Sequence, residues 1–220
     1  MTAQSSPKPL VSAAGEARIP LPSRETMTPE QREVLEEILA GPRGEVVGPL
    51  RAALHSPELA RRWSHLGAFL RYQTCVPLRA VELAIVVTGR RWSSEVEWWV
   101  HAKNALRAGV PEAAVLAIRA GEPPTFDEEQ DRVVYEFTRQ IQETGRTDLD
   151  VYRSVEAWWG APGVVELTAV IGYYTMVAIT LNVHEIPLPA GIEPQFSAHA
   201  ELRLTSLAPL ASHPEKKDRS

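Results

Sequence analysis

Between Thr28 and Val183 the apolar residues recur every three to four positions, a spacing that predicts helices. In TPEQREVLEEILAG, Val34, Leu35, Ile38 and Leu39 fall on one stripe. Thr28 offers an N-cap oxygen, Pro29 takes the first helical position and Gly41 stops the run. SPELARRWSHLGAFLRYQT repeats this grammar from Ser56 and Pro57, with Leu59, Trp63, Leu66 and Leu70 spaced for burial. PLRAVELAIVVTGRRW is apolar almost all round apart from Glu82. Periodicity alone would also allow a buried strand, but the Ala, Leu and Glu content and the start at Pro77 favour a core helix. WSSEVEWWVHAKNALRAG follows, then PEAAVLAIRAG closed by Gly121, and TFDEEQDRVVYEFTRQIQETG capped by Thr125 or Asp127. DLDVYRSVEAWWG and a long PGVVELTAVIGYYTMVAITLNV complete the set before the turn-rich HEIPLPAGIEP. With no internal repeat and no convincing strand pair, the expected fold class is all-α. The expected organisation is a flexible leader over 1–25, a single helical domain over 26–195, and a disordered tail over 196–220, polar and charged beyond Leu210.

The segment from Val164 to Val183 is about as long as a bilayer-spanning helix. It contains Glu166, three threonines, two tyrosines and Asn182 and lacks basic flanks, so burial in a core and in a subunit interface is expected rather than a membrane span. The chain has 220 residues, 44% of them apolar, enough to bury one full core. A net charge of -5, with both signs interspersed, gives no footprint for nucleic acid or an anionic membrane. Cys75 is the only cysteine, so no disulfide and no thiolate cluster forms within one chain. A reducing cytoplasm fits. The first residues lack a basic start followed by an apolar run, so no export signal is expected.

Candidate chemistry comes from the helix after Trp92. Around its wheel, Trp98, Ala102, Ala105, Leu106 and Trp99 form an apolar arc, and Lys103 and Arg107 point to water. Ser94, Glu97, His101 and Asn104 make a second polar sector that an ordinary surface helix does not need. One reading is a pocket wall, where a histidine moves protons and a desolvated glutamate is raised toward neutrality. The other is a solvated i,i+4 pair worth a few tenths of a kcal/mol. Glu82 bears on the choice, because a lone carboxylate in an apolar run is costly to bury unless paired. It could orient His101 and fix its tautomer, or serve structurally through Arg79 or a helix end. Glu82, Glu97 and His101 include no second histidine at ligand spacing, so no metal site is expected.

LRAVELAIVVTGRRWSSEVEWWVHAKNALRAGVPEAAV and VVELTAVIGYYTMVAITLNVHEIPL together resemble the carboxymuconolactone decarboxylase family, which includes the AhpD-type alkylhydroperoxidases. The resemblance covers roughly 49–189. It implies an AhpD-like helical bundle that forms homotrimers, or hexamers as dimers of trimers, with pockets between helices near subunit interfaces. In the peroxidase branch a glutamate precedes a Cys-x-x-Cys pair by twelve residues, and a histidine follows four after the second cysteine. The same count from Glu82 reaches Ser94, Glu97 and then His101. Both cysteines are absent, and thiol peroxide reduction needs an attacking and a resolving thiol. Cys75 has no resolving partner, so a thiol peroxidase is not expected.

What the resemblance leaves is the decarboxylase-like side: a cofactor-free lyase acting on a small carboxylated lactone or related organic acid. His101 would carry the proton, Glu82 orient it, and Glu97 relay a proton or hold a hydroxyl or lactone group. Arg79, Arg90 and Arg91 are the nearest candidates for anchoring a substrate carboxylate. Ser94, Trp98, Trp99 and Tyr173 are candidate pocket residues. Isomerisation, hydrolytic ring opening and carbon–carbon lyase chemistry would use the same three catalytic groups. The alternative is a non-catalytic helical oligomer that binds a small acid or a partner protein.

Overall fold

The computed structural model describes residues 16–42, 46, 48–196 and 204–211. Among them the chain is all-helical: α1 (Pro29–Ala40), α2 (Pro49–Ala53), α3 (Pro57–Tyr72), α4 (Leu78–Arg91), α5 (Glu95–Arg107), α6 (Glu112–Ala120), α7 (Glu129–Thr144) and α8 (Leu149–Val183). No strand occurs among the described residues.

α4 is the centre of the fold. It packs against α3, α5, α6, α7 and α8. Every residue from Ala80 to Gly89 is buried, which explains why this helix is apolar all round. α5 returns along α4 after a short turn, bringing His101 beside Glu82 and Glu97 beside Gly89. The two helices are therefore antiparallel, and the polar sector of α5 lies in the seam between them.

Local signals account for most element ends. At α1 the Thr28 hydroxyl accepts from the Gln31 amide, while the Gln31 side chain accepts from the Thr28 amide, a complete capping box. α7 begins after Glu128 rather than at Thr125 or Asp127. α2 was not foreseen, since five residues are too few to show a period. In α3 the buried face is Ala60, Trp63, Ser64, Gly67 and Leu70. Leu59 and Leu66, expected inside, are about half exposed. The helix carries two apolar stripes, and the one rich in small residues packs inward.

The α8 segment is two helices end to end. Gly160 sits at φ 66° and ψ −175°, a conformation effectively reserved for glycine, and Pro162 starts the second helix. At this junction a Cβ on Gly163 would lie 2.2 Å from the Trp159 Cβ. Gly163→Ala is therefore expected to cost about 1–3 kcal/mol through overpacking. A thermal melt reads this directly, and an unchanged midpoint would mean that the junction relaxes freely.

Leu149–Val183 is long and apolar enough to cross a membrane, but half of its most apolar stretch is buried inside the protein. Val165, Met176, Ile179 and Val183 remain on its open side. Described parts of the expected leader and tail pack against the domain. In the expected leader, the Arg18 amide donates to the His184 carbonyl at 2.8 Å, and Arg18 pairs with Glu185. In the expected tail, Leu207 is buried, the Thr205 amide donates to the Arg91 carbonyl, and the Tyr135 hydroxyl donates to the Ala208 carbonyl. Specific backbone bonds, invisible to composition, hold both segments. The remainder of these two expectations, over 1–15, 197–203 and 212–220, lies outside the described residues.

Candidate functional site

The seam between α4 and α5 holds Glu82, His101, Glu97 and Ser94, none of them more than 6% exposed. A solvated surface pair is thereby excluded. His101 Nδ1 lies 2.7 Å from Glu82 Oε2. A carboxylate only accepts, so against it Nδ1 carries the hydrogen and Nε2 is left available. Nε2 makes no hydrogen bond among the described residues. The other Glu82 oxygen faces the Arg71 guanidinium of α3 at 3.9 Å. The ring of Tyr174, on α8, meets the imidazole edge-on with centroids 4.9 Å apart. The imidazole is thus fixed by a carboxylate on one side and an aromatic ring on another.

Glu97 is different in kind. Both of its carboxyl oxygens are buried with no hydrogen-bond partner among the described residues. Burial alone pushes its carboxyl well above the ordinary carboxylate range. Burial thus favours its neutral, protonated form, one helical turn from His101. Glu97 packs against Gly89 of α4, where even a Cβ would sit only in ordinary contact with the Glu97 Cγ at 3.6 Å. The Ser94 hydroxyl at the start of α5 is likewise buried and unpartnered.

The three arginines considered as anchors are occupied elsewhere. Arg79, near the start of α4, pairs with the buried Asp131 of α7, its Nε 3.0 Å from Oδ1. Arg90 donates to the Arg119 carbonyl and the Thr205 hydroxyl and covers the Phe196 ring. Arg91 reaches the Thr205 carbonyl and Glu143. These bonds tie α4 to α6, α7 and the 204–211 segment. Trp98 is buried against Phe196 with ring centroids 5.3 Å apart. Tyr173 packs on Trp63 and donates to its carbonyl, so its neighbour Tyr174 is the tyrosine in the seam. Arg71 and Tyr174 went unrecognised in the sequence. Arg71 looks like any surface arginine on α3, and the helical period alone does not say which of two adjacent tyrosines meets His101.

Two clefts lie away from the seam. One, of about 160 Å³, is bordered by Glu37, Arg61 and His65, and another, of about 310 Å³, by Trp99, Lys103 and residues 191–195. Neither is lined by Glu82, Glu97 or His101. Among the described residues no group of three or more His, Cys, Asp or Glu side chains could hold a metal ion. Cys75 is exposed, and Glu166 beside it pushes its thiol up, away from the thiolate that peroxide reduction needs. No protein-family model matches the chain, and no curated protein matches it.

Proposed function

We propose that the chain is a cofactor-free decarboxylase or related lyase of the carboxymuconolactone decarboxylase type, acting on a small carboxylated lactone or similar organic acid. The observation that supports this most is the buried Glu82–His101 pair set one turn from a buried, unpartnered Glu97. Two carboxyl groups and an imidazole are kept out of water side by side, an arrangement suited to acid-base work. In the proposed reaction the bond to the departing carboxylate breaks, CO₂ leaves, and the electron pair passes into the lactone carbonyl as a dienolate. His101, having taken a second proton from solvent onto Nε2, then delivers that proton to carbon and returns to the Nδ1–H form that Glu82 holds. Glu82 holds the ring in the required tautomer, and Glu97 donates a hydrogen bond within the pocket. Substrate reaches these groups through local opening around His101, the most exposed of the four seam residues.

The open apolar side of α8, Val165, Met176, Ile179 and Val183, favours a homo-oligomer, with a trimer or hexamer as the proposed assembly. A non-catalytic oligomer would share that surface. The test is ultraviolet-monitored turnover of freshly generated γ-carboxymuconolactone by the wild-type protein with a metal chelator present. Loss of substrate with stoichiometric CO₂ supports the lyase. Absence of turnover removes this reaction and favours the binding oligomer.

A further inference from the structure

The start of α5 has the sequence of a capping box, Ser94-Glu95-Val96-Glu97, yet the box is not made. Ser94 is the N-cap residue but its hydroxyl accepts nothing from the helix, and Glu97, three residues on, does not reach back. The same grammar closes fully at Thr28 and Gln31 of α1, so the chain can form such a box where nothing else is required of the residues.

The neighbouring backbone groups sharpen the contrast. The last carbonyls of α4 are used: Thr88 accepts from the Trp92 amide, Gly89 from Ser94, Arg90 from Ser93 and Arg91 from Thr205. The first amides of α5, on Glu95, Val96 and Glu97, have no acceptor among the described residues. They point out of the positive end of a 13-residue helix. Ser94 is 0% and Glu97 2% exposed, and all three of their side-chain oxygens lack partners. The start of α5 thus holds buried polar side-chain oxygens and helix amides that lack partners among the described residues.

We infer that the N-terminus of α5, with the buried, unpartnered Ser94 hydroxyl and Glu97 carboxyl, binds a carboxylate of the substrate, in place of the arginines that are tied up elsewhere. This deepens the proposed lyase reading and rests on it for the identity of the acid. Helix N-termini bind anions through free amides and the helix dipole, and a hydroxyl and a neutral carboxylic acid each add a donor. The carboxylate held here is one that survives the reaction. Donors on the departing group would stabilise the ground state more than the transition state and slow the loss of CO₂.

Acetate is the probe, titrated into full-length protein followed by amide NMR, with chloride at equal ionic strength as control. Saturable shifts of the Val96 and Glu97 amides are expected with acetate and not with chloride. Ser94→Ala should weaken binding about tenfold, as should Glu97→Leu, whereas Glu97→Gln, which keeps a donor, should retain most of it. The proposal is overturned by shifts confined to exposed arginines, by equal responses to chloride, or by full affinity in Ser94→Ala and Glu97→Leu together. His101→Ala separates the two readings. It should bind acetate normally while lacking turnover, so turnover without acetate binding would sink the anchor alone. Acetate binding without turnover would leave the anchor standing and sink the lyase.

Discussion

His101→Ala is expected to lower lactone turnover by about 10²- to 10⁴-fold, the usual contribution of a positioned acid-base group. The imidazole is the only seam side chain that combines a hydrogen-bonded nitrogen, Nδ1 on Glu82, with a second nitrogen that has no partner among the described residues. Removing it leaves Glu82 buried and facing only Arg71 at 3.9 Å, so part of the effect would be structural. His101→Gln fills much of the same space, and should be as inactive while melting closer to wild type. Glu82→Gln distinguishes orientation from proton transfer. An amide can still meet Nδ1 but no longer dictates which nitrogen carries the hydrogen, and a loss of about 10- to 100-fold is expected. Steady-state kinetics with circular dichroism on all three variants provides the check. Turnover of His101→Gln within tenfold of wild type would move the proton carrier elsewhere, and equal losses in all three with collapsed dichroism would reduce the seam to a structural role.

Much of this arrangement was legible in sequence, for physical reasons that differ from residue to residue. Helix periods and caps such as Thr28-Pro29 act locally, so α1, α3 and the break at Gly160 follow from neighbours in the chain. Glu82 stood out because an ionisable group in an apolar run must find a partner, and His101 is that partner. The second polar face of α5 left both a pocket wall and a solvated pair open, and its burial in the seam decides against the solvated pair. Long-range pairing was not legible. Arginine side chains reach far, and Asp131, Thr205 and Glu143 lie 52 to 115 residues from Arg79, Arg90 and Arg91 along the chain. The unmade capping box was equally hidden, since SSEVE reads as a sound helix start and only the folded seam shows Ser94 and Glu97 unpartnered.

Glu97→Leu is expected to stabilise the protein, and increasingly so as pH rises. Native Glu97 has its protonation held well above its ordinary value of 4.5 because burial penalises the charged form. Below that ordinary value the group is protonated in both folded and unfolded chains and adds no pH dependence. Above it the unfolded chain releases the proton while the folded chain keeps it, so the native state binds more protons and unfolding becomes easier as pH increases. The loss continues until the raised native value is passed. Leucine is close in size and has no charge to bury, so it removes this slope. Its benefit should be small near pH 4.5 and grow steadily as pH rises toward the raised native value. Urea unfolding at several pH values measures this. A gain that is the same at every pH would reflect packing alone, and a destabilised variant would mean that Glu97 is ionised and paired in the native protein. Such a stabilising change at a site that loses function is the expected mark of a residue kept for chemistry. Glu97, buried beside Gly89 with no partner for either oxygen among the described residues, is costly to the fold, and the proposed ligand contact would offset that cost.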